Sequence, residues 1–579
     1  MATVDFSVIS NEDSLARDIS LKWDTWNGLR SKWLDEKKEL RNYLYATDTS
    51  TTSNNANPWS NKTTRPKLTS IMDNLHANYM ATLFPQQQWL SYQPFDKTTE
   101  AEGKKDAIEA YMYTKLSQSK FKLTIDDLTR DYIEYGNCFG TVEYETSFST
   151  KKETGEEIPL YIGPKLLRIS PYDIAFDPTA ASFNKTPKII RSVVSLGDIK
   201  DMINSDPTNE YLQEVFSDML SVRGTVSSSG DQYKGEGYCA DGFSDITHYY
   251  NTGSVELLTF YGTIFDIKSE TLYKDYIITV VDRRRVLLKK ENPSWLGSDG
   301  IHHVGWRKRP DNLYAMGPLD NLVGLQYRID HLENLKADVF DAIAAPKYKV
   351  VGEVQEWEDK PFERIYIGDG GDVVPLVPDS TALNVDFQIR QLEETMEELA
   401  GAPKQAMGIR TAGEKTAFEV QTLDNASSRI YQNKTGQYEE RFIEPILNDF
   451  LEVAVRNMDT TETILVTDKD NGITIIDTVE KSDLVGKGRL VPVAARHFAE
   501  RALRLQNLQQ LWQIKQGDPS IAAHLSGKGM AKILAEELGE DDLYSENIAV
   551  AEGLETQNAT QEAEVVNAET SAELSDQGF

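Results

Sequence analysis

Three features of the sequence predict an α+β fold. Apolar residues recur every three or four positions over long stretches, most clearly at 14–45, 317–343 and 385–455, which is the period of an amphipathic helix. Between 137 and 309 the pattern changes to alternation and short β-branched runs bounded by turn residues, as strands require. The chain also has 579 residues, 40% of them apolar, enough to build real cores in several domains.

Taken in order, Leu15, Ile19, Trp23, Trp26, Leu29, Trp33, Leu40 and Leu44 keep a helical rhythm from Ser14 to Tyr45. Three tryptophans on one stripe imply burial, in a core or against a partner, and the core is the expected place. Asp48 to Asn61, rich in Ser, Thr and Asn, reads as a loop. Helices are expected at Lys67 to Phe84, stopped by Pro85, at Thr99 to Ser119 and at Lys122 to Tyr135. Gly136 marks the change of period. Strands are then expected in CFGTVEYETSFS, in YIGPKLLRISPYDIAFDP after a KKETGEE turn, and in SVELLTFYGTIFD, YIITVVD, RRVLLKKE and IHHVGWRKR. A helical interlude at Asp198 to Leu220 and a Gly- and Ser-rich loop at Gly224 to Gly237 interrupt them.

Gly317-Pro318 is expected to open a long helix, with Pro at a first-turn position and Leu322, Leu325, Ile329, Leu332, Val339 and Ile343 as its stripe. Pro346 ends it. KYKVVGEVQEWEDKPFERIYIGDGGDVVPLVP then holds two strand-like runs, a small β unit bracketed by long helices. The following helix places Ile389, Leu392, Met396 and Leu399 on one stripe, while Glu393, Glu394, Glu397 and Glu398 project elsewhere. Gly401 and Pro403 stop it. A loop spans Ala402 to Gly413, and a second helical pattern runs from Glu414 past Phe450, with a kink expected just before Pro445. TILVTDKDNGITIIDTVEKSDLVGKGRLVPV looks extended. Helices follow around Phe498 to Trp512, Ser520 to His524 and Gly529 to Leu538, and the acidic, amide-rich remainder favours disorder.

The net charge of -31 is uneven, since thirteen Asp or Glu and no Lys or Arg follow Lys532. Such a surface does not suit tight wrapping of nucleic acid, whose affinity comes from Lys and Arg displacing counterions. It suits a surface that DNA passes without adhering. Cys138 and Cys239 are too few for a disulfide framework and support no zinc site, so a reducing compartment is expected. The N-terminus lacks the character of a signal peptide, and no apolar run approaches a membrane span, so a soluble, cytoplasmic chain is expected.

Gly408 to Thr416, GIRTAGEKT, falls one residue short of a P-loop. Glu414 stands where Lys should follow the second Gly, bringing negative charge to the phosphate position, and the preceding EETMEELAG is helical rather than a buried strand. The residues favour a hinge: Gly413 suits the turn into a helix, and Glu414 suits a helix N-terminus. Lys404, Arg410 and Lys415 would either meet phosphates without reading sequence or pair with neighbouring acids. His302 and His303, on opposite faces of a strand, make a poor metal pair. Asp173 and Asp177 beside Pro171 and Pro178 are read as turn formers. The clusters Arg283 to Arg285 and Arg307 to Arg309 could hold a partner, or be solvated, or form ion pairs between subunits. No catalytic residue, metal site or cofactor is nominated, and no enzyme is expected.

The order of elements, carried by LLRISPYDIAFDPTA, MGPLDNLVGLQYRIDHLENLKADVFDAIAAPKYKV, MEELAGAPKQAMGIRTAGEKTAFEV with RFIEPIL, and KGRLVPVAARHFAERALRLQNLQQL, resembles the portal (head-to-tail connector) proteins of tailed double-stranded DNA phages, most like the short-tailed type. The resemblance implies a portal fold in a ring-forming homo-oligomer, a dodecamer, at one capsid vertex of the virion, assembled in the host cytoplasm. Its channel would serve genome packaging and ejection. Residues 1–316 would form the wing, 317–343 and 380–401 the stem helices, and 344–379 the clip, with 402–413 the tunnel loop. Residues 414–493 would be the kinked helix and return to the wing, 494–538 the crown, and 539–579 a disordered acidic tail. The tunnel loop would present Lys404, Gln405, Arg410 and Lys415 to DNA between hinges at Gly401, Gly408 and Gly413. The clip would offer Lys347, Lys349, Glu356, Lys360 and Arg364 to the terminase large subunit and later the tail adaptor protein. The wing would face the major capsid protein and the scaffold or internal core proteins, with no membrane involved. Rival readings are a virion or tail scaffold without a DNA channel and a degenerate P-loop ATPase.

Overall fold

The computed structural model describes residues 3–9, 11–45, 61, 63–84, 89–95, 99–150, 157–204, 209–224, 253–355, 365–378, 384–400, 433–467 and 474–492, with a few positions beyond. Helix and sheet are mixed throughout. The chain divides into two compact units, one of Met1–Ala81 with Lys115–Met458, the other of Thr82–Thr114 with Asp459–Phe579. The second unit joins segments more than three hundred residues apart.

Strand β1 (Thr3–Phe6) leads into helices α1 (Glu12–Leu29) and α2 (Ser31–Tyr45). The side chain of Asn11 caps α1 by accepting from the N–H groups of Asp13 and Ser14. The single helix expected from Ser14 to Tyr45 is therefore two, parted at Arg30. That guanidinium is buried and donates to the carbonyls of Pro171, Tyr172 and Ile174, so a charge in the middle of an apolar stripe fixes the break. Trp23, Trp26 and Trp33 are all buried, as core residues, whereas Leu29 faces solvent. Next come α3 (Lys67–Leu83), β2 (Leu90–Pro94), α4 (Thr99–Gln118) and α5 (Phe121–Glu134).

After Gly136 the chain turns to strands β3 (Asn137–Thr150), β4 (Glu157–Ile169), β5 (Ile174–Phe176) and β6 (Lys188–Ser195), then to helices α6 (Leu196–Asn204) and α7 (Glu210–Gly224). Strands β7 (Ser254–Asp266), β8 (Thr271–Val281), β9 (Arg285–Glu291), β10 (Ile301–Gly305), β11 (Arg307–Arg309) and β12 (Asn312–Met316) follow. The main sheet has the order β5-β6-β7-β8-β9, with β1 parallel to the far end of β7. Its central strand is apolar on both faces. Leu258, Phe260 and Ile264 meet α1 through Leu15, Ile19 and Trp23, while Val255 and Leu257 meet Ile199, Ile203, Val215 and Met219 of α6 and α7. The period of two in a strand makes this division, so a near-continuous apolar run is the expected signature of a sheet covered on both sides. A second sheet, β10-β3-β4, packs against α5.

Helix α8 (Val323–Ala344), strands β13 (Lys347–Val351) and β14 (Asp372–Leu376), helix α9 (Asp386–Ala400) and helix α10 (Glu444–Asn457) complete the first unit. Pro318 does not open α8. The chain instead makes a 3₁₀ turn at Asp320–Leu322, with Asp320 accepting from the Gly317 N–H. Ahead of α10 the helix is π-wound over Glu439–Ile443, so the Glu444 N–H reaches back five residues to the Glu439 carbonyl. The irregularity lies immediately before Pro445, whose ring and missing N–H disfavour a regular α turn there.

In the second unit β15 (Thr461–Thr467) pairs with β16 (Thr474–Glu480), the short helix α11 (Lys481–Leu484) follows, and β17 (Gly488–Pro492) pairs antiparallel with β2. Strands were expected over this C-terminal stretch. Their pairing with residues near 92 was not visible in a pattern that carries no long-range information. Among the described residues no helix is long and apolar enough to cross a membrane.

Candidate functional site

Among the described residues, α8, the β13–β14 hairpin and α9 form an arm whose far end has little internal support. Its base is fixed where two backbones cross. Gly136, at a φ of +70°, lies so close to Gly317 that a Cβ would fall 2.2 Å from the Gly317 nitrogen. Beside the crossing, the buried Lys37 ammonium pairs with Asp320 and lies 3.5 Å from the Glu134 carbonyl. Burial pulls the Lys37 pKa below its ordinary value, with Asp320 opposing the fall.

Along α8 a row of polar side chains runs through what the sequence presented as an apolar stripe. Gln326, Asp330 and Asn334 recur at four-residue spacing and are 0%, 0% and 6% exposed. They bind an extended strap running in the opposite direction. Asp338 accepts from the Asn61 N–H (2.6 Å) and Asn334 from the Thr63 N–H (2.8 Å). Asp330 accepts from the Arg65 N–H (3.0 Å), and Gln326 from the Leu68 N–H (3.3 Å). The backbone N–H groups of Asn61, Thr63, Arg65 and Leu68 are thereby satisfied without a sheet. Burial raises the Asp330 carboxyl to about 6, and hydrogen bonds from Arg65 and Gln326 oppose the rise. Sequence reasoning read this helix by its apolar residues alone. The missed signal was the Gln-Asp-Asn spacing of four.

The register of α9 follows from three ion pairs. Asp386 meets Lys336 of α8 at 2.6 Å, Glu393 meets Arg65 at 3.0 Å and Glu397 meets Lys67 at 2.5 Å, so α9 runs antiparallel to α8 with the strap beside both. Ile389 and Met396 are buried as expected. The rest of the expected stripe is revised: Leu392 is half-buried and Leu399 is half exposed, while Glu397 and Ala400 are buried instead. Lys67 makes this possible, because a buried carboxylate needs a cation.

The hairpin is the distal end. Lys347 pairs with Leu376 and Val351 with Asp372, an antiparallel ladder of five residue pairs extended by a bridge between Val354 and Ile367. Lys347 and Lys349 share a face with Val351, Val374 and Leu376, and Tyr348 and Val350 lie on the other. Neither face is covered: Val351 is 48% and Leu376 56% exposed, and Val350 is 47% exposed across the strand. Phe340 of α8 (62%) and Phe387 of α9 (76%) extend the apolar surface along the helices. An isolated two-stranded sheet is marginal in water. Exposed apolar side chains grouped in this way make the hairpin and the adjoining helix faces a candidate surface for association.

Of the clip residues expected to meet partners, Lys347 and Lys349 are exposed on this hairpin, and Glu356, Lys360 and Arg364 lie outside the described residues. Gly401, Lys404, Gln405, Gly408, Arg410, Gly413 and Lys415 also lie outside them. Chain segment 386–400 is helical where a P-loop would require a strand.

Other candidates resolve individually. His302 bonds Asp449 of α10 at 2.9 Å, and His303 bonds Asn137 at 3.0 Å while stacking on Phe139, so the adjacent histidines diverge. Burial, with Lys308 and Lys188 nearby, lowers His303 to about 3 and keeps it neutral. Asp177 holds a turn by accepting from Thr179, whereas Asp173 pairs with Arg191. Arg283 is buried between Glu256 and Asp24, and Arg285 reaches Asp218 at 2.6 Å nearer the surface, so both arginines are already paired with carboxylates of this chain. Among the described residues no group of three or more His, Cys, Asp or Glu is placed to hold a metal. No protein-family model matches the chain, and no curated protein matches it.

Proposed function

We propose that the chain is a portal subunit: one copy in a ring that forms a DNA channel at a single capsid vertex and docks the packaging terminase and afterwards the tail adaptor. The observation that supports this reading best is the arm. Two antiparallel helices carry a small hairpin at their far end, and the hairpin and the outer helix faces leave apolar side chains in water. In a ring each arm would lie against its neighbours, so the surface exposed in one copy would be buried in the assembly. The acidic surplus fits the same reading, because like-charged walls within a Debye length of about 8 Å discourage adhesion of DNA. ATP hydrolysis would belong to the terminase, and this chain would supply the conduit.

Electron microscopy of the purified protein tests the reading directly. Top-view class averages should show a closed ring with a central hole. A compact monomer at all protein concentrations would overturn it, and an open or unsymmetrical assembly would favour a scaffold protein without a channel.

A further inference from the structure

Two basic triplets in this sequence have opposite fates. Arg283 and Arg285 of the first are consumed by carboxylates within the fold. The second, Arg307, Lys308 and Arg309, forms β11, and all three residues are exposed. A tight hairpin turn presents it, with Asp311 in the left-handed region at φ +58°. The helix preceding α10 adds two more cations from more than a hundred residues away. The Lys434 ammonium lies 4.8 Å from the ring centre of Trp306 and donates to the Trp306 carbonyl, while the Arg307 guanidinium lies 5.0 Å from the same ring. Trp306 is itself buried and fixed by a hydrogen bond to the Tyr79 hydroxyl (3.2 Å). Arg441 stands two turns further along that helix and is exposed. Among the described residues none of the five forms an ion pair with a carboxylate, in a chain with 31 more acidic than basic residues.

From this cluster we infer that Arg307, Lys308, Arg309, Lys434 and Arg441 form a docking surface for the phosphodiester backbone of duplex DNA. The choice of DNA among polyanions rests on the portal reading, whereas the cluster stands without it. Guanidinium forks match phosphate oxygens in pairs, and ammonium groups add point charge without sequence preference. Arg307, Lys308, Lys434 and Arg441 also repel one another in pairs. Burial and the nearby Arg441 hold the Lys308 pKa down, and burial with Arg307 and Arg441 does the same to Lys434, so an incoming anion relieves an existing strain of charge. The acidic helix of a second copy is the weaker match. Two of the four glutamates between 393 and 398 in α9 are already paired with Arg65 and Lys67. On this view the acidic body lets DNA pass, and one basic surface holds it loosely.

The test is anisotropy titration of the full chain with short labelled duplex DNA over a range of salt, with inorganic polyphosphate as competitor. Lys308→Gln with Arg441→Gln removes two exposed charges that make no hydrogen bond within the described fold, so the melting temperature should be unchanged. The slope of log affinity against log salt should become shallower by about 2, and affinity at low salt should fall by about tenfold or more. Lys308→Arg with Arg441→Lys should restore both. Unchanged affinity and slope in the Gln variant would overturn the inference. So would loss of self-association with DNA binding intact, which would assign the surface to a second copy. A ring seen in micrographs together with an unchanged slope would sink this inference alone, and loss of slope without any ring would sink only the portal reading.

Discussion

Asp320 and Asp330 show how single carboxylates hold the arm to the body by different means. Asp320 neutralises a buried lysine and accepts the Gly317 N–H at the backbone crossing. Asp320→Ala would leave Lys37 charged and unpaired in the interior, which costs about 3 to 5 kcal/mol, and denaturant midpoints should fall accordingly. Asp330 works against its own charge. Its folded pKa of about 6 exceeds the ordinary 3.8, so ionisation is disfavoured by folding and the penalty is fully present above about pH 6. Stability from this group should rise as pH falls from 7 towards 4. Burial raises Asp131 to about 6 as well, although Arg168 binds it with two hydrogen bonds, so the wild-type protein combines two such terms. Asp330→Asn keeps an acceptor for the Arg65 N–H and should add about 1 to 2 kcal/mol at pH 8 and little at pH 4. Urea titrations at the two pH values check this; an equal effect at both would show that the charge is not the cause.

At the scale of elements, the portal reading assigns association to the hairpin and contact with DNA to residues 402–413, which lie outside the described residues. Replacing Val350 and Leu376 with Glu puts charge on both exposed faces of the β13–β14 ladder. Surface changes of this kind shift stability by about 0.5 kcal/mol or less. Assembly should nevertheless weaken, measured as a loss of high-mass species in light scattering, and assembly unchanged by both charges would remove the hairpin from the interface. The converse experiment neutralises Lys404, Arg410 and Lys415 together. Ring formation should survive while packaging or retention of DNA changes, and unaltered packaging would dismiss an electrostatic role for that segment.

At the scale of the whole molecule, the charge pattern and the exposed arm point the same way. On the portal reading, repulsion between copies of so acidic a chain would oppose assembly, which would then draw on apolar burial of the kind the arm exposes. Raising the salt concentration should therefore strengthen self-association of copies and weaken DNA binding at β11, two trends of opposite sign in one titration series.

Much of this was legible in the sequence because it is local. Helical and strand periods placed most of the long helices and strands such as β3, β4, β7, β8 and β9, but not β1, β2, β6 or β12. The burial of Trp23, Trp26 and Trp33 followed from their spacing, and Glu414 with a helix ahead of Gly408 argued against a P-loop before any fold was in view. What the sequence could not decide depended on partners distant along the chain. Arg30 breaks a helix because three carbonyls near residue 172 receive it. Glu397 is buried because Lys67 reaches it, and β2 finds β17 nearly four hundred residues on. The same holds for the two basic triplets, alike as strings of residues. The tertiary structure gives carboxylates to one and gathers two further cations around the other, because charge is settled by neighbours in space and periodicity reports only neighbours in sequence.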